Sequence, residues 1–216
     1  MKRLFIFMIL LSGIFASCNT AKFSLNERKL IRKKYTEKIM PLMLVSNNAD
    51  SVILYTKSIK FPVNSEDKKL RKLTDLMYHT CIDSTNPGVG IAAPQVGVNK
   101  RIIWVQRFDK KEKPFEVYFN IEIKEYSTSK SDGWEGCLSV PGYRGIVRRS
   151  DTIVINYDTF DKKNITETVS GFTAVIFQHE TDHLNGILYT DRIFDKSNLY
   201  SDEEYKRIFK TKNSSN

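Results

Sequence analysis

The chain has 216 residues, enough for one domain with a sizeable core plus appendages, and its composition is ordinary for a soluble globular protein. A formal charge of +9 implies attraction to anionic surfaces, yet the sequence carries no specific nucleic-acid recognition motif. Three cysteines, Cys18, Cys81 and Cys137, are too few and too far apart to form a disulfide framework.

The first residues, MKRLFIFMILLSGIFASC, place two positive charges before an apolar stretch from Leu4 to Phe15, then Ala16 and Ser17 before Cys18. That is the layout of a secretory signal peptide, and small residues ahead of a cysteine resemble a bacterial lipoprotein signal, although Phe15 departs from the aliphatic residue common there. The expectation is a signal peptide over 1–17, lipidation at Cys18, and a membrane-anchored lipoprotein of the cell envelope. The alternatives are an N-terminal helix packed on the domain, an uncleaved anchor, or a cytoplasmic protein. Residues 18–44 read as a polar, basic linker with some helical character, its run NERKLIRKKYTEK serving as tether or steering feature.

A catalytic domain is expected over 45–210, followed by a tail over 211–216. From Asn64 to about Ser84 the pattern is helical: Asn64 or Ser65 can cap, and Leu70, Leu73, Met77 and Cys81 form a stripe, so Cys81 reads as core. His79 lies off that stripe and reads as an ordinary histidine. Strands are expected at Arg101–Gln106, Glu116–Tyr126, Thr152–Tyr157 and Ile165–Val169. An apolar helix runs from near Gly171 to near Gly186, and a last amphipathic helix begins at Ser201. The fold class is α+β: mostly antiparallel strands packed around a central metal-binding helix, with a C-terminal helix.

That central helix carries QHETDHLNG, residues 178–186. His179 and His183 stand about one turn apart, as two ligands of one metal ion require, and Glu180 is offset by roughly 100° with its carboxylate still in reach of a metal-bound water. A hydrolytic site usually takes three protein ligands. Glu203 and Glu204 lie at a tolerable distance, but Ser201 and Glu204 form a capping box, so those acids have a simpler role. Cys137, in EGCLSVPG, is the better candidate, because a thiolate binds zinc and iron strongly.

The segments GVGIAAPQ (88–95), EGCLS (135–139) and QHETDHLNG, in this order, resemble the three signature motifs of peptide deformylase. The resemblance implies removal of the formyl group from N-formylmethionyl peptides or nascent proteins. It implies one divalent metal held by Cys137, His179 and His183, with Fe²⁺ native and Zn²⁺ or Ni²⁺ able to replace it. Glu180 would carry the proton from water to the leaving amine. The Gln95 amide and the Leu138 main-chain N–H would stabilise the oxyanion.

Helix geometry puts Phe172, Val175 and Ile176 on the face of His179, an apolar wall suited to a methionine side chain or else plain core packing, and the resemblance sets Val89 opposite. The extended main chain of Gly88, Val89, Gly90 and Ile91 can pair with substrate as an added strand. Arg144 is a candidate for binding substrate carbonyls, a surface ion pair being the equal alternative. Other readings are an HExxH-type metallopeptidase and a non-catalytic envelope protein that binds formyl peptides. The expected partners are the formylmethionyl peptide, a membrane through Cys18, and the ribosome only if the protein is cytoplasmic; a monomer is expected.

Overall fold

A computed structural model describes residues 22–213; the expected signal peptide and Cys18 lie outside the described residues. Three helices come first, α1 (Leu25–Arg32), α2 (Asn48–Leu54) and α3 (Lys68–Cys81). Strands β1 (Gly90–Ala92), β2 (Ile102–Gln106), β3 (Phe115–Tyr126), β4 (Lys130–Cys137), β5 (Val140–Ser150), β6 (Thr152–Asp158) and β7 (Ile165–Ser170) follow. Helix α4 (Gly171–Leu184), a short β8 (Leu199–Ser201) and α5 (Asp202–Asn213) complete the described chain. No helix among the described residues is long and apolar enough to cross a membrane.

The strands pair antiparallel in two sheets, one ordered β1-β2-β3-β6-β7 and the other β4-β5-β8. The expected strands all lie in the first sheet, where alternating apolar residues mark them. The long β4–β5 hairpin was not anticipated. Its sequence, rich in Gly, Ser and charge, leaves many of its side chains exposed, so the period-two signal is weak.

Helix α4 contacts β1, β2, β3, β6 and β7 of the large sheet and β5 of the small one. Being covered on several sides, it buries Ala174, Ile176, Phe177 and Leu184 together with the polar Gln178, Glu180, Asp182 and His183. Its middle and its C-terminal end are tied down. Gln178 exchanges hydrogen bonds with the main chain of Ser150, while the Arg101 guanidinium donates to Leu184 O and Asn185 Oδ1 beyond the last turn. The chain leaves the helix through Gly186, whose φ of +70° and close approach to the Tyr55 carbonyl leave no room for a side chain.

The helix expected over 64–84 begins later, at Lys68, because Asp67 rather than Asn64 or Ser65 caps it, accepting from the N–H groups of Lys69 and Leu70. Asn64 accepts from Glu66 N–H in the preceding turn. The stripe Leu70, Leu73, Met77 and Cys81 is buried as its spacing requires.

The linker expected over 18–44 is corrected by the structure: from residue 22 onward it is folded onto the domain. Ser24 and Glu27 form a capping box that starts α1, and Phe23, Ile31 and Met40 enter one apolar cluster with α3. Glu27 turns inward, accepting from Asn99 N–H at 3.0 Å and facing Lys100 Nζ at 3.4 Å. Three apolar residues scattered among charges give too sparse a pattern to show this packing in sequence. Ile31, 1% exposed, reports the docking. Ile31→Ala is expected to destabilise the protein by about 2–4 kcal/mol in urea denaturation; a change below about 0.5 kcal/mol, typical of a surface site, would return the segment to linker status.

Candidate metal centre

A strand of the small sheet and the central helix supply the three donors. His179 and His183 project from successive turns of α4, and Cys137 ends β4 where the β4–β5 register shifts between Gly136 and Cys137. One donor atom from each lies within 4.8 Å of the other two, with Cys137 Sγ 3.2 Å from His183 Nε2. One thiolate and two imidazoles suit a divalent ion such as Fe²⁺, Zn²⁺ or Ni²⁺, so these residues fit a metal. His79 stands apart, its Nδ1 2.8 Å from Asp75 O. Ser201 and Glu204 form the expected capping box of α5.

The orientation of His179 comes from a buried acid. Its Nδ1 lies 2.8 Å from Glu135 Oε2. Burial alone would raise the Glu135 pKa, but hydrogen bonds from His179 and Arg149 outweigh it and bring the value to about 2. Glu135 is therefore an anion that only accepts, so Nδ1 carries the proton and Nε2 is left as donor to a metal. Arg149 grips Glu135 with two bonds of 2.7 and 3.0 Å and passes on to Asp182 at 2.5 Å, which Arg192 holds at 2.6 Å. Every charge in this chain has an opposite neighbour, which is what permits the burial.

Glu180 is placed differently. It is 4% exposed, its Oε2 has no hydrogen-bond partner, and burial pushes its pKa up to about 7. Space for it comes from Gly90: a Cβ there would stand 2.6 Å from Glu180 Oε1. Gln95 is also buried. Its Oε1 accepts from Ala92 N–H at 2.8 Å, which turns its amide nitrogen toward Cys137 Sγ (3.5 Å) and Ser139 Oγ (3.3 Å).

These groups form the floor of a cavity of about 470 Å³, lined also by Gly88, Val89, Gly90, Leu138 and Arg144. Phe172, Val175 and Ile176 line one side, as helix spacing requires, with Phe172 half exposed at 54% and edge-on to Phe108. The Ile91 side chain does not reach the cavity. It is fully buried in an apolar cluster, and the cavity lining from this segment ends at Gly90. β1 is an edge strand of the large sheet. Arg144 lines the cavity and also faces Asp202, Nε to Oδ1 at 3.4 Å, so both readings of this residue describe the same place.

The residues missed in sequence are Glu135, Arg149 and Asp182, along with Tyr189, whose ring stacks on His179 at 6.1 Å. One signal was present: Glu135 precedes Cys137 by two positions, and on a strand i and i+2 share a face.

Residues 42–198 match the model of a protein family described as polypeptide deformylase. Peptide deformylase 2 of Nostoc sp. is 37% identical over 156 residues, which cover 69% of this chain and 86% of the relative. The peptide deformylase of Desulfotalea psychrophila is 43% identical over 138 residues, 62% of this chain and 79% of that one. Among solved structures, the actinonin-bound class I type b peptide deformylase of Acinetobacter baumannii superposes with a TM-score of 0.62 at 37% identity, covering 72% of this chain and 98% of that chain. A Met-Ala-Ser-bound form of the enzyme superposes equally well, TM-score 0.62 at 35% identity, over 73% of this chain and 100% of that chain.

The role of the buried acid is open to direct measurement. Glu135→Gln keeps the shape but removes the anion that fixes His179 and balances Arg149. Metal affinity, read by competition with a chelator, is expected to fall roughly 10- to 100-fold; unchanged affinity would show that His179 is positioned without it.

Proposed function

The chain belongs to the polypeptide deformylase family, and from that premise we propose how its own residues remove the formyl group from an N-formylmethionyl peptide. It is a metal-dependent hydrolase of a linear amide. The observation that carries the residue assignments is the convergence of Cys137, His179 and His183 beside the buried, unpartnered Oε2 of Glu180.

When bound, a divalent metal at Cys137, His179 and His183 supplies Lewis acidity, which makes water nucleophilic near neutral pH. Glu180 takes a proton from the attacking water as its oxygen adds to the formyl carbon, and a pKa near 7 suits it both to accept that proton and to release it. The same carboxyl then protonates the amine nitrogen as the C–N bond breaks, so formate and a free N-terminus leave. Gln95 Nε2, aimed by its bond to Ala92, and the main-chain N–H of Leu138 donate to the oxyanion. Phe172, Val175, Ile176 and Val89 take the methionine side chain, the main chain from Gly88 to Ile91 pairs with the peptide at the sheet edge, and Arg144 reaches its carbonyls. Fe²⁺ is our assignment for the native metal, with Zn²⁺ or Ni²⁺ as substitutes at the same donors.

Iron-loaded protein is expected to release formate from a formylmethionyl peptide faster than zinc-loaded protein. In Glu180→Gln the metal should stay and turnover fall roughly 10²- to 10⁴-fold. Near-normal turnover in that variant would remove the proton-carrier role, and internal cleavage of an unformylated peptide would favour a metallopeptidase instead.

For location we propose export, on the charge, apolar stretch and small residues that precede Cys18. The mature chain then begins at a lipidated Cys18 on the cell envelope and meets formylated peptides released there, rather than chains on the ribosome. Fractionation of cells expressing the full chain and Cys18→Ala, with mass spectrometry of the N-terminus, is expected to find lipid only on the former; protein beginning at Met1 in the cytosol would overturn export.

A further inference from the structure

Helix α1 has two opposite faces. Glu27 and Ile31 are turned inward, and Leu25, Lys29 and Arg32, at i, i+4 and i+7, form an outward stripe that Lys33 and Lys34 extend. All five are exposed, Leu25 at 74%. A second basic row adjoins them: Lys68, Lys69 and Lys72 lie on one face of α3, and Lys72 Nζ donates to the carbonyls of Arg32 and Lys33 at 3.2 and 3.1 Å. Nearby acids do little to cancel this charge. Glu27 is buried against Lys100, Asp75 is held by Lys38 at 3.0 Å, Glu37 lies beyond the stripe, and Asp67 caps α3 by accepting from Lys69 and Leu70 N–H, which leaves exposed Glu66 as the acid at the end of the α3 row.

We propose that this surface, the outer stripe of α1 with the adjoining row of α3, lies against an anionic lipid leaflet and fixes how the domain sits on the membrane. The proposal rests on the export reading for its tether. Phe23 is packed in the core, so five residue steps from Cys18, about 18 Å at full extension, are all that separate an anchored cysteine from the folded domain. With so short a lead the start of α1 cannot leave the interface. Basic side chains there are drawn to anionic headgroups, and an exposed leucine within the stripe can enter the acyl boundary. That leucine, and the anchor at Cys18, favour lipid over nucleic acid, which offers neither an apolar layer nor a tether.

The test uses the full chain carried on vesicles, labelled with an amine reagent that does not cross the bilayer. On phosphatidylcholine vesicles containing phosphatidylglycerol, Lys29, Lys33, Lys34 and Lys72 should label at least threefold more slowly than on phosphatidylcholine alone. The difference should vanish in high salt and in an Arg32→Glu, Lys33→Glu variant, while Lys130, at the start of β4, and Lys196, just ahead of β8, both exposed, label equally throughout. Equal labelling of the stripe on both vesicles overturns the proposal. Stronger protection by transfer RNA at equal phosphate concentration overturns it in favour of nucleic acid. Mass spectrometry of the N-terminus in the same sample separates the two ideas: an unlipidated chain with the footprint intact removes the tether and leaves the surface standing.

Discussion

The contact between Glu135 and His179 joins the two halves of the molecule. One residue comes from β4 of the small sheet and the other from the helix that packs against the large one. Burying a carboxylate there is tolerable only because Arg149 and His179 both donate to it, and burying Arg149 only because Asp182 lies on its other side. Once that chain of opposite charges is closed, β4 can occupy one position against α4, and Cys137, two residues on, arrives beside His183. The convergence of the three donors is therefore a consequence of ion pairing between the small sheet and α4.

Around this fixed frame the reactive groups differ in how fully they are satisfied. Gln95 has its carbonyl committed to Ala92 and its nitrogen turned to the thiol, so it is rigid. Glu180 has an oxygen with no partner, and burial, only partly opposed by His179, pushes its pKa up to about 7. The contrast between Glu135, brought to about 2, and Glu180, pushed up to about 7, separates two carboxylates within one site into an anion and a group able to exchange a proton near neutral pH. Gly90 makes this possible by leaving out a side chain where Glu180 stands.

The N-terminal segment joins the catalytic domain to whatever precedes it. Since Phe23, Ile31 and Met40 share a cluster with α3, the position of α1 is coupled to the helix that leads into the cavity wall at Gly88, whose N–H donates to the carbonyl of Cys81 at 2.7 Å. A basic surface on α1 is thus part of the rigid body that holds the site, not a loose appendage.

Much of the site was legible in one dimension. The four-residue spacing of His179 and His183 with Glu180 between them needs only helix periodicity, and the same periodicity placed Phe172, Val175 and Ile176 on the cavity side. Cys137 and Gln95 were reached through motifs whose residues are local. The large-sheet strands showed themselves because their apolar residues alternate, whereas β4 and β5 did not, since a hairpin with many exposed side chains has little apolar pattern to read. What sequence could not contain was the pairing of Arg149, fourteen residues from Glu135, with Asp182, thirty-three residues further on, or the docking of a basic segment by three scattered apolar side chains. Periodicity records which face of an element is buried, but the partner that makes a buried charge affordable is set by long-range packing, and only the tertiary structure decides it.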